Sequence, residues 1–410
     1  MGVPGDSRYD DVLSSAAMYP PGNTTRDRVA ASASAEGSDS CAEAVERAVA
    51  ALGREPGLVL IFTAGDVDPH ASARDAEVAA GGAQVAGMTG TAAIGPDGPL
   101  DSGCSAVALS SSFSTGVSAV EAQDPRAAGR EATAEALSGI GDAPHAAVLL
   151  FVDSESGDQA EVVAGAYEVG GGRIPLAGGA AGGPNRARFA DGRALSSGVV
   201  AVAIGATSPI GVGLAHSCVA RGAPSIVTRS EGPNVVRLDG RPAEAVYLEK
   251  LGVEDGDLDD EAFEKLAMVH PLAEPELGGG LQPRYVRARA PDGVLVCATS
   301  IEENAAVIVC EQTPETIVDS ACTAVEDAGS RLEGPAEAAV AFVCAARSVW
   351  FDGPVAAALA RRELSALAAA FGEPAPSLAG VYTRGEIGRS RGAKGDRNYS
   401  VVVAAFGAAD

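Results

Sequence analysis

Three times along this chain of 410 residues an apolar run ends in polar residues: LVLIFTAGD (58–66), AAVLLFVDSES (146–156) and AAVAFVCAARS (338–348). Each has the length and residue types of a buried strand. A helical stretch follows each one, then a short segment running into Ala-Gly and a flexible polar turn. The three turns occupy 85–103, 176–198 and 378–400, and each hands over to another apolar strand: CSAVALSS, VVAVAIG and VVVAAFG. A recurrence of this kind marks a repeated supersecondary unit. Strand, helix, strand, hairpin, strand predicts an α/β fold, a mixed-sheet layered architecture built of three such units and arranged as two domains.

The length suits two domains better than one ordinary core. Residues 1–30, polar and rich in Pro, Gly and Ser, read as a flexible arm. A boundary near 205–225 then separates 31–215 from 216–410. Between the second and third units the texture changes. Residues 210–240 alternate strands and turns, and RPAEAVYLEKLG (241–252) is helical. EDGDLDDEAFE (254–264) is an acidic solvated stretch, and 284–312 reads as two hairpins with Asp292-Gly293 and Glu303-Asn304 as turns. Thr313 is the expected N-cap of a helix over 313–332.

Charge excludes whole classes of partner. Fifty-five Asp and Glu against 30 Lys and Arg leave a formal −25, a surface that repels phosphate backbones and anionic lipid. Lysine occurs only at 250, 265 and 394. This pattern matches salt-adapted halophilic proteins. A GC-rich genome explains the Arg, Ala and Gly but not the acid excess. Seven scattered cysteines with no CxxC pair argue against a disulfide framework and a zinc site, and for buried thiols in a reducing cytoplasm. No basic-then-apolar leader opens the chain, and no apolar run reaches membrane-spanning length. Neither a cofactor nor a metal is expected: GGAAGG (178–183) lacks the Lys-Ser/Thr of a P-loop, and no clustered ligand spacing exists.

Four groups of residues carry a family resemblance. They are Cys344-Ala-Ala-Arg347, Gly380-Val-Tyr382-Thr-Arg-Gly385-Glu386-Ile-Gly388, Asn398-Tyr-Ser400 before a closing strand, and Gly178-Gly179-Ala-Ala with Val227-Thr228, Leu238-Asp239-Gly240 and Tyr247 beyond it. In these the chain resembles the FIST family, with an N-terminal and a C-terminal FIST domain over about 35–408. The Gly-Glu-Ile segment is the specific part. Gly87-Met88-Thr89 stands where the family has Gly-Cys-Ser, so a thiol role is lost there. Ser400 replaces a Thr and keeps its hydroxyl. His216 resembles the family's strand-end His-Gly position. The resemblance implies a sensory protein for a small polar ligand, an amino acid or related metabolite, passing its signal to a separate partner protein.

Cys344, Arg347, Tyr382, Gly385, Glu386, Asn398 and Ser400, with Thr89, Gly179 and His216, are the candidate ligand-binding residues. Arg347 and Glu386 could grip the two ends of a zwitterion. Equally, they could pair with each other as a structural salt bridge. Cys344 beside Arg347 reads either as an activated thiol or as a small buried residue finishing a strand, the second being favoured. A thiol-dependent hydrolase or transferase using Cys344 and His216 is the alternative function, and a protein-binding scaffold the next.

Overall fold

A computed structural model describes residues 28–64, 67–154, 159–253, 258–276, 280–347, 354–389 and 395–408. All but the last three residues of the expected arm fall outside these.

The three units are present and share one plan. The first runs β1 (Ala30–Ala35), α1 (Ser40–Leu52), β2 (Pro56–Ala64), α2 (Pro69–Ala79) and β3 (Gln84–Gly90). It closes with the hairpin β4 (Ala93–Gly95) and β5 (Gly98–Leu100), then β6 (Cys104–Ser110). The second runs β7 (Ser114–Val120), α3 (Pro125–Ser138), β8 (His145–Asp153), α4 (Gln159–Gly170) and β9 (Leu176–Ala181). Its hairpin is β10 (Arg188–Ala190) and β11 (Arg193–Leu195), followed by β12 (Val199–Ala206).

The third unit opens with β13 (Ile210–His216) and is then interrupted by a smaller module. That module holds β14 (Val219–Ala220), β15 (Ser225–Glu231), β16 (Asn234–Leu238), β17 (Arg241–Pro242), α5 (Ala243–Leu251) and α6 (Asp260–Val269). It continues through β18 (Leu272–Pro275), β19 (Leu281–Arg284), β20 (Val286–Ala290), β21 (Val294–Cys297) and β22 (Ala306–Glu311). The unit resumes with α7 (Pro314–Gly329), β23 (Ala338–Cys344), α8 (Pro354–Ala370) and β24 (Ser377–Thr383). Its hairpin β25 (Glu386–Arg389) and β26 (Asp396–Arg397) leads into β27 (Ser400–Phe406).

Each unit forms a sheet around one parallel pair, β2–β3, β8–β9 or β23–β24. The hairpins do not stay at home. β10–β11 pairs with β3, β25–β26 with β9, and β4–β5 with β24, so every sheet is completed by a hairpin from another unit. This exchange is cyclic. The boundary expected at 215/216 therefore falls inside a sheet, because β13 pairs with β27. The chain retains the two-domain layout in sequence while its sheets interlock.

The inner faces of the three sheets enclose one apolar core, and each outer face is covered by two helices. At the centre Phe62, Phe151 and Phe342 form a triangle, with ring centroids 5.9–6.2 Å apart. Each lies two residues before the last residue of β2, β8 or β23. The recurrent Ala-Gly also gains a physical reason, and it belongs to the strand rather than to the turn after it. A Cβ on Gly87, Gly178 or Gly380 would lie 1.8–2.1 Å from the carbonyl oxygen of Ile61, Leu150 or Ala341 on the parallel neighbour. Only glycine allows that approach.

Local signals hold elsewhere. The Thr313 hydroxyl accepts from the Thr316 N–H and a full capping box forms. Asp292 and Gly293, both at positive φ, turn β20 into β21. Asn304 also has positive φ, but β21 and β22 do not pair: β22 instead joins β14, β15 and β18. No helix among the described residues is long and apolar enough to cross a membrane.

Removing one ring of the central triangle should be felt by all three units. Phe342→Ala is expected to lower unfolding stability by about 3–5 kcal/mol in a single cooperative transition, measured by urea denaturation.

Candidate functional site

Side chains alternate along a strand, so the last residue of each central strand faces the same way as its phenylalanine. Those last residues are Ala64, Asp153 and Cys344, stacked above the aromatic triangle. The first position of each exchanged hairpin is equivalent too: Ala93 opposite Val381, Arg188 opposite Met88, and Glu386 opposite Gly179. Three related pairs surround the barrel axis. One is Ala64 with Ala93, one Asp153 with Arg188, and one Cys344 with Glu386.

A cavity of about 670 Å³ opens at this end, between the barrel and the inserted module. The barrel lines it with Thr91, Asp153, Ser154 and Gln159 from the first two units, and with Cys344, Thr383, Arg384 and Asn398 from the third. The module contributes Glu264, Met268, Tyr285, Arg287 and Thr299. Two carboxylates and two guanidiniums thus share one space. Ser154 Oγ and Thr299 Oγ1 are buried there without a hydrogen-bond partner among the described residues. The size fits a small metabolite.

The module is held at this end by the third hairpin. Arg284 donates to Asp396 at 2.6 Å, Arg397 to Glu276 at 2.7 Å, and the Tyr285 N–H to Asn398 Oδ1 at 3.2 Å. Asn398 lines the cavity, and its Nδ2 donates to the Arg397 carbonyl. Glu264, expected within a merely solvated acidic stretch, lies on α6 facing the cavity; 254–257 of that stretch lie outside the described residues.

Arg347 and Glu386 do not meet. Arg347 is fully buried and bonds Glu363 through Nε at 2.8 Å. Its Nη1 donates to the Tyr399 carbonyl at 2.9 Å; its Nη2 donates to the Ile317 carbonyl at 2.6 Å and to Ser320 Oγ at 2.8 Å. Every guanidinium nitrogen is engaged with protein, and the side chain has no exposed surface and no place in the cavity lining, so it does not form the zwitterion clamp expected of it. Sequence spacing placed Arg347 near Glu386 but could not show that α8 brings Glu363 to Arg347 as its partner. Burial pushes the Glu363 carboxyl up, with Arg347 offsetting part of the rise.

Glu386 is buried against the floor of the cavity, directly behind Cys344. Thr383 Oγ1 donates to its carboxyl at 2.7 Å, the Ser400 N–H at 3.2 Å, and the Cys344 thiol also bonds it. Burial nevertheless outweighs these bonds and pushes its pKa up to about 8. Glu386 is therefore mostly a neutral acid near pH 7. Cys344 lines the cavity, yet burial and then the neighbouring Glu386 hold its thiol well above the ordinary range. A thiol in that setting is a poor nucleophile.

The other expected residues serve the frame. Thr89 Oγ1 accepts from the Ala187 N–H at 3.0 Å and donates to the Gly182 carbonyl, fastening the second hairpin. Gly385 has positive φ, and its carbonyl accepts from the Ala180 N–H at 2.8 Å. A Cβ on Gly179 would come 2.7 Å from the Thr383 methyl. Ser400 Oγ donates to the Asn398 carbonyl. Tyr382 packs among the residues under α7 and α8, its hydroxyl unbonded. His216 ends β13 outside the cavity lining; burial, then Arg397, hold its pKa below the usual value. Asp153, Arg188, Arg287 and Arg384 escaped the sequence reading. For the first two the signal was present: aligning the three repeats puts Asp153 at the position of Cys344 and Arg188 at that of Glu386. Among the described residues no cluster of three or more His, Cys, Asp or Glu side chains could hold a metal ion.

Two family models match the chain, the FIST N domain over residues 57–241 and the FIST C domain over 243–389. The chain belongs to the FIST family. Both parts of the FIST pair contribute to the cavity, Asp153 from the first and Cys344 from the second. FIST domains are associated with sensory signal transduction. No curated protein matches the sequence. Among solved structures, a cyanuric acid hydrolase from A. caulinodans aligns over 93% of this chain and 99% of that chain. Its identity is 11% and its TM-score 0.36, a likeness that bears on neither site nor activity.

Two outcomes test this geometry. Arg347→Met, which strands Glu363, is expected to cost about 3–5 kcal/mol in urea unfolding, and adding Glu363→Leu should recover much of that loss. For Glu386 the folded pKa is raised, so its stabilising contribution is complete below the unfolded value of 4.5 and is lost as pH rises through about 8. Across that window the melting temperature of wild type should fall more steeply with pH than that of Glu386→Gln.

Proposed function

We propose that this FIST protein is a sensor that reversibly captures a small polar metabolite carrying both charges, an amino acid or a close relative, in the cavity between barrel and module. The observation that carries this reading is the cavity's composition: Asp153 and Glu264 face the same space as Arg287 and Arg384, with unbonded hydroxyls at Ser154 and Thr299. Buried polar atoms without partners favour a ligand able to bond them. Arg287 and Arg384, both exposed, can take a carboxylate, and the acids an ammonium. Because the walls belong to two bodies, a ligand touching both favours one arrangement of them, which is the population shift a sensor needs. The output then passes to a separate protein.

Binding without turnover is the better-supported reading. A thiol enzyme would need a base beside Cys344, and its neighbour Glu386 is a mostly neutral acid at pH 7. The strongly negative surface weighs against nucleic acid and anionic membrane as partners.

Ala298 is exposed on the module side of the cavity, so a large side chain there can fill the space without disturbing a core. In a thermal-shift screen of amino acids and related metabolites, at least one compound is expected to raise the wild-type melting temperature while leaving Ala298→Trp unmoved. A screen in which nothing moves the wild type would sink the sensor reading.

A further inference from the structure

Arg188 opens β10 and has no exposed surface. None of its three nitrogens has a hydrogen-bond partner among the described residues. A guanidinium carries five N–H donors, and removing it from water without acceptors is costly. Its ion-pair contact among the described residues is with Asp153 Oδ1, 4.0 Å from Nη1, beyond hydrogen-bond reach. Asp153 lines the cavity, so the guanidinium lies immediately behind the cavity wall with its donors unspent.

The repeat shows that the fold does not require this charge. At the equivalent hairpin position the first unit has Ala93, fully buried, and the third has Glu386, bonded by Thr383 and Ser400. An alanine fills the place without an unpaired group, so the arginine answers a need other than packing. Beside it, Ser154 Oγ is a further buried polar atom without a partner on the same wall. Burial depresses the Arg188 pKa and Asp153 counteracts that. Arg287 and Arg384 are exposed, where water satisfies them and weakens their pull on an anion.

We propose that Arg188 and Asp153 form a two-part subsite for a ligand end that presents an oxyanion beside an N–H donor. Asp153 stands between Arg188 and the cavity, so Arg188 donates to the oxyanion once the Asp153 side chain turns aside to accept from the neighbouring N–H. This rests on the reading of the cavity as a ligand site and specifies which end of the ligand goes deepest. The N–H is what makes the anion acceptable so close to Asp153, because it offsets the repulsion between two carboxylates. An α-amino acid, or an acid bearing an adjacent amide N–H, meets the requirement. A simple amine does not.

The test uses thermal unfolding of the full chain at constant ionic strength, with glycine, acetate and methylammonium as probes. Glycine is expected to raise the midpoint most, acetate less, and methylammonium not at all. Arg188→Met should weaken the apparent affinity for glycine by about tenfold to a hundredfold. Its ligand-free midpoint should be no lower than that of wild type, since no hydrogen bond is lost. Arg188→Lys, which keeps the charge without the fork, should weaken the response without abolishing it. Asp153→Asn should bring the glycine response down toward that of acetate.

Three results would overturn the proposal. One is a glycine response unchanged in both Arg188 variants but lost in Arg384→Gln, which moves the oxyanion to the rim. The second is a wild type indifferent to glycine and acetate while another metabolite stabilises it and Ala298→Trp blocks that effect; the sensor reading then stands and the subsite falls. In the third no compound shifts the wild type, and both fall together.

Discussion

Backbone hydrogen bonds that would be left open along β3, β9 and β24 are supplied by hairpins from other units. That exchange is the constraint on which the rest of the molecule depends. An uncovered strand edge is a liability, and here each edge is closed by a segment that must cross to the next sheet. The three sheets are consequently locked around one axis, their inner faces form a single core, and no unit is complete without its neighbours. The close approach at Gly87, Gly178 and Gly380 serves the same arrangement by drawing each parallel pair together beside the aromatic triangle.

A threefold frame need not carry threefold chemistry. At the mouth of the barrel the three equivalent pairs have diverged into two alanines, an aspartate with an arginine, and a cysteine with a glutamic acid. The first pair leaves room, the second holds charge, and the third is neutral near pH 7 because burial keeps Glu386 protonated. The module inserted after β13 breaks the symmetry further by roofing the cavity and anchoring on the third hairpin through Arg284, Arg397 and Asn398. Ligand recognition and coupling to a second body are thereby placed at one point of the structure.

Buried ions in this molecule fall into two kinds. Arg347 has acceptors for every nitrogen and ties β23 to α7, α8 and the turn at Tyr399. Arg188 has none. Both are wholly buried arginines close to the same cavity, and residue type alone does not separate them. The difference lies in what the packed neighbours present: a carboxylate, two carbonyls and a hydroxyl in one case, and a carboxylate 4.0 Å away in the other.

Much of the fold was legible because it rests on local or periodic signals. The three apolar runs, the Ala-Gly segments, the Thr313 cap and the Asp292-Gly293 turn are written in short stretches of residues, and the physics that reads them acts within those stretches. The site was legible only in part. Cys344, Glu386, Asn398 and Ser400 were found near the cavity or at its wall, whereas Asp153 and Arg188 were not, since each is an ordinary residue until the repeats are superposed. The sequence by itself determined the unit, its threefold recurrence and the family. Tertiary structure alone decided where each hairpin went, that Arg347 would meet Glu363, and that Arg188 would be left without an acceptor. Those outcomes depend on contacts between segments far apart in the chain, and no local propensity encodes them.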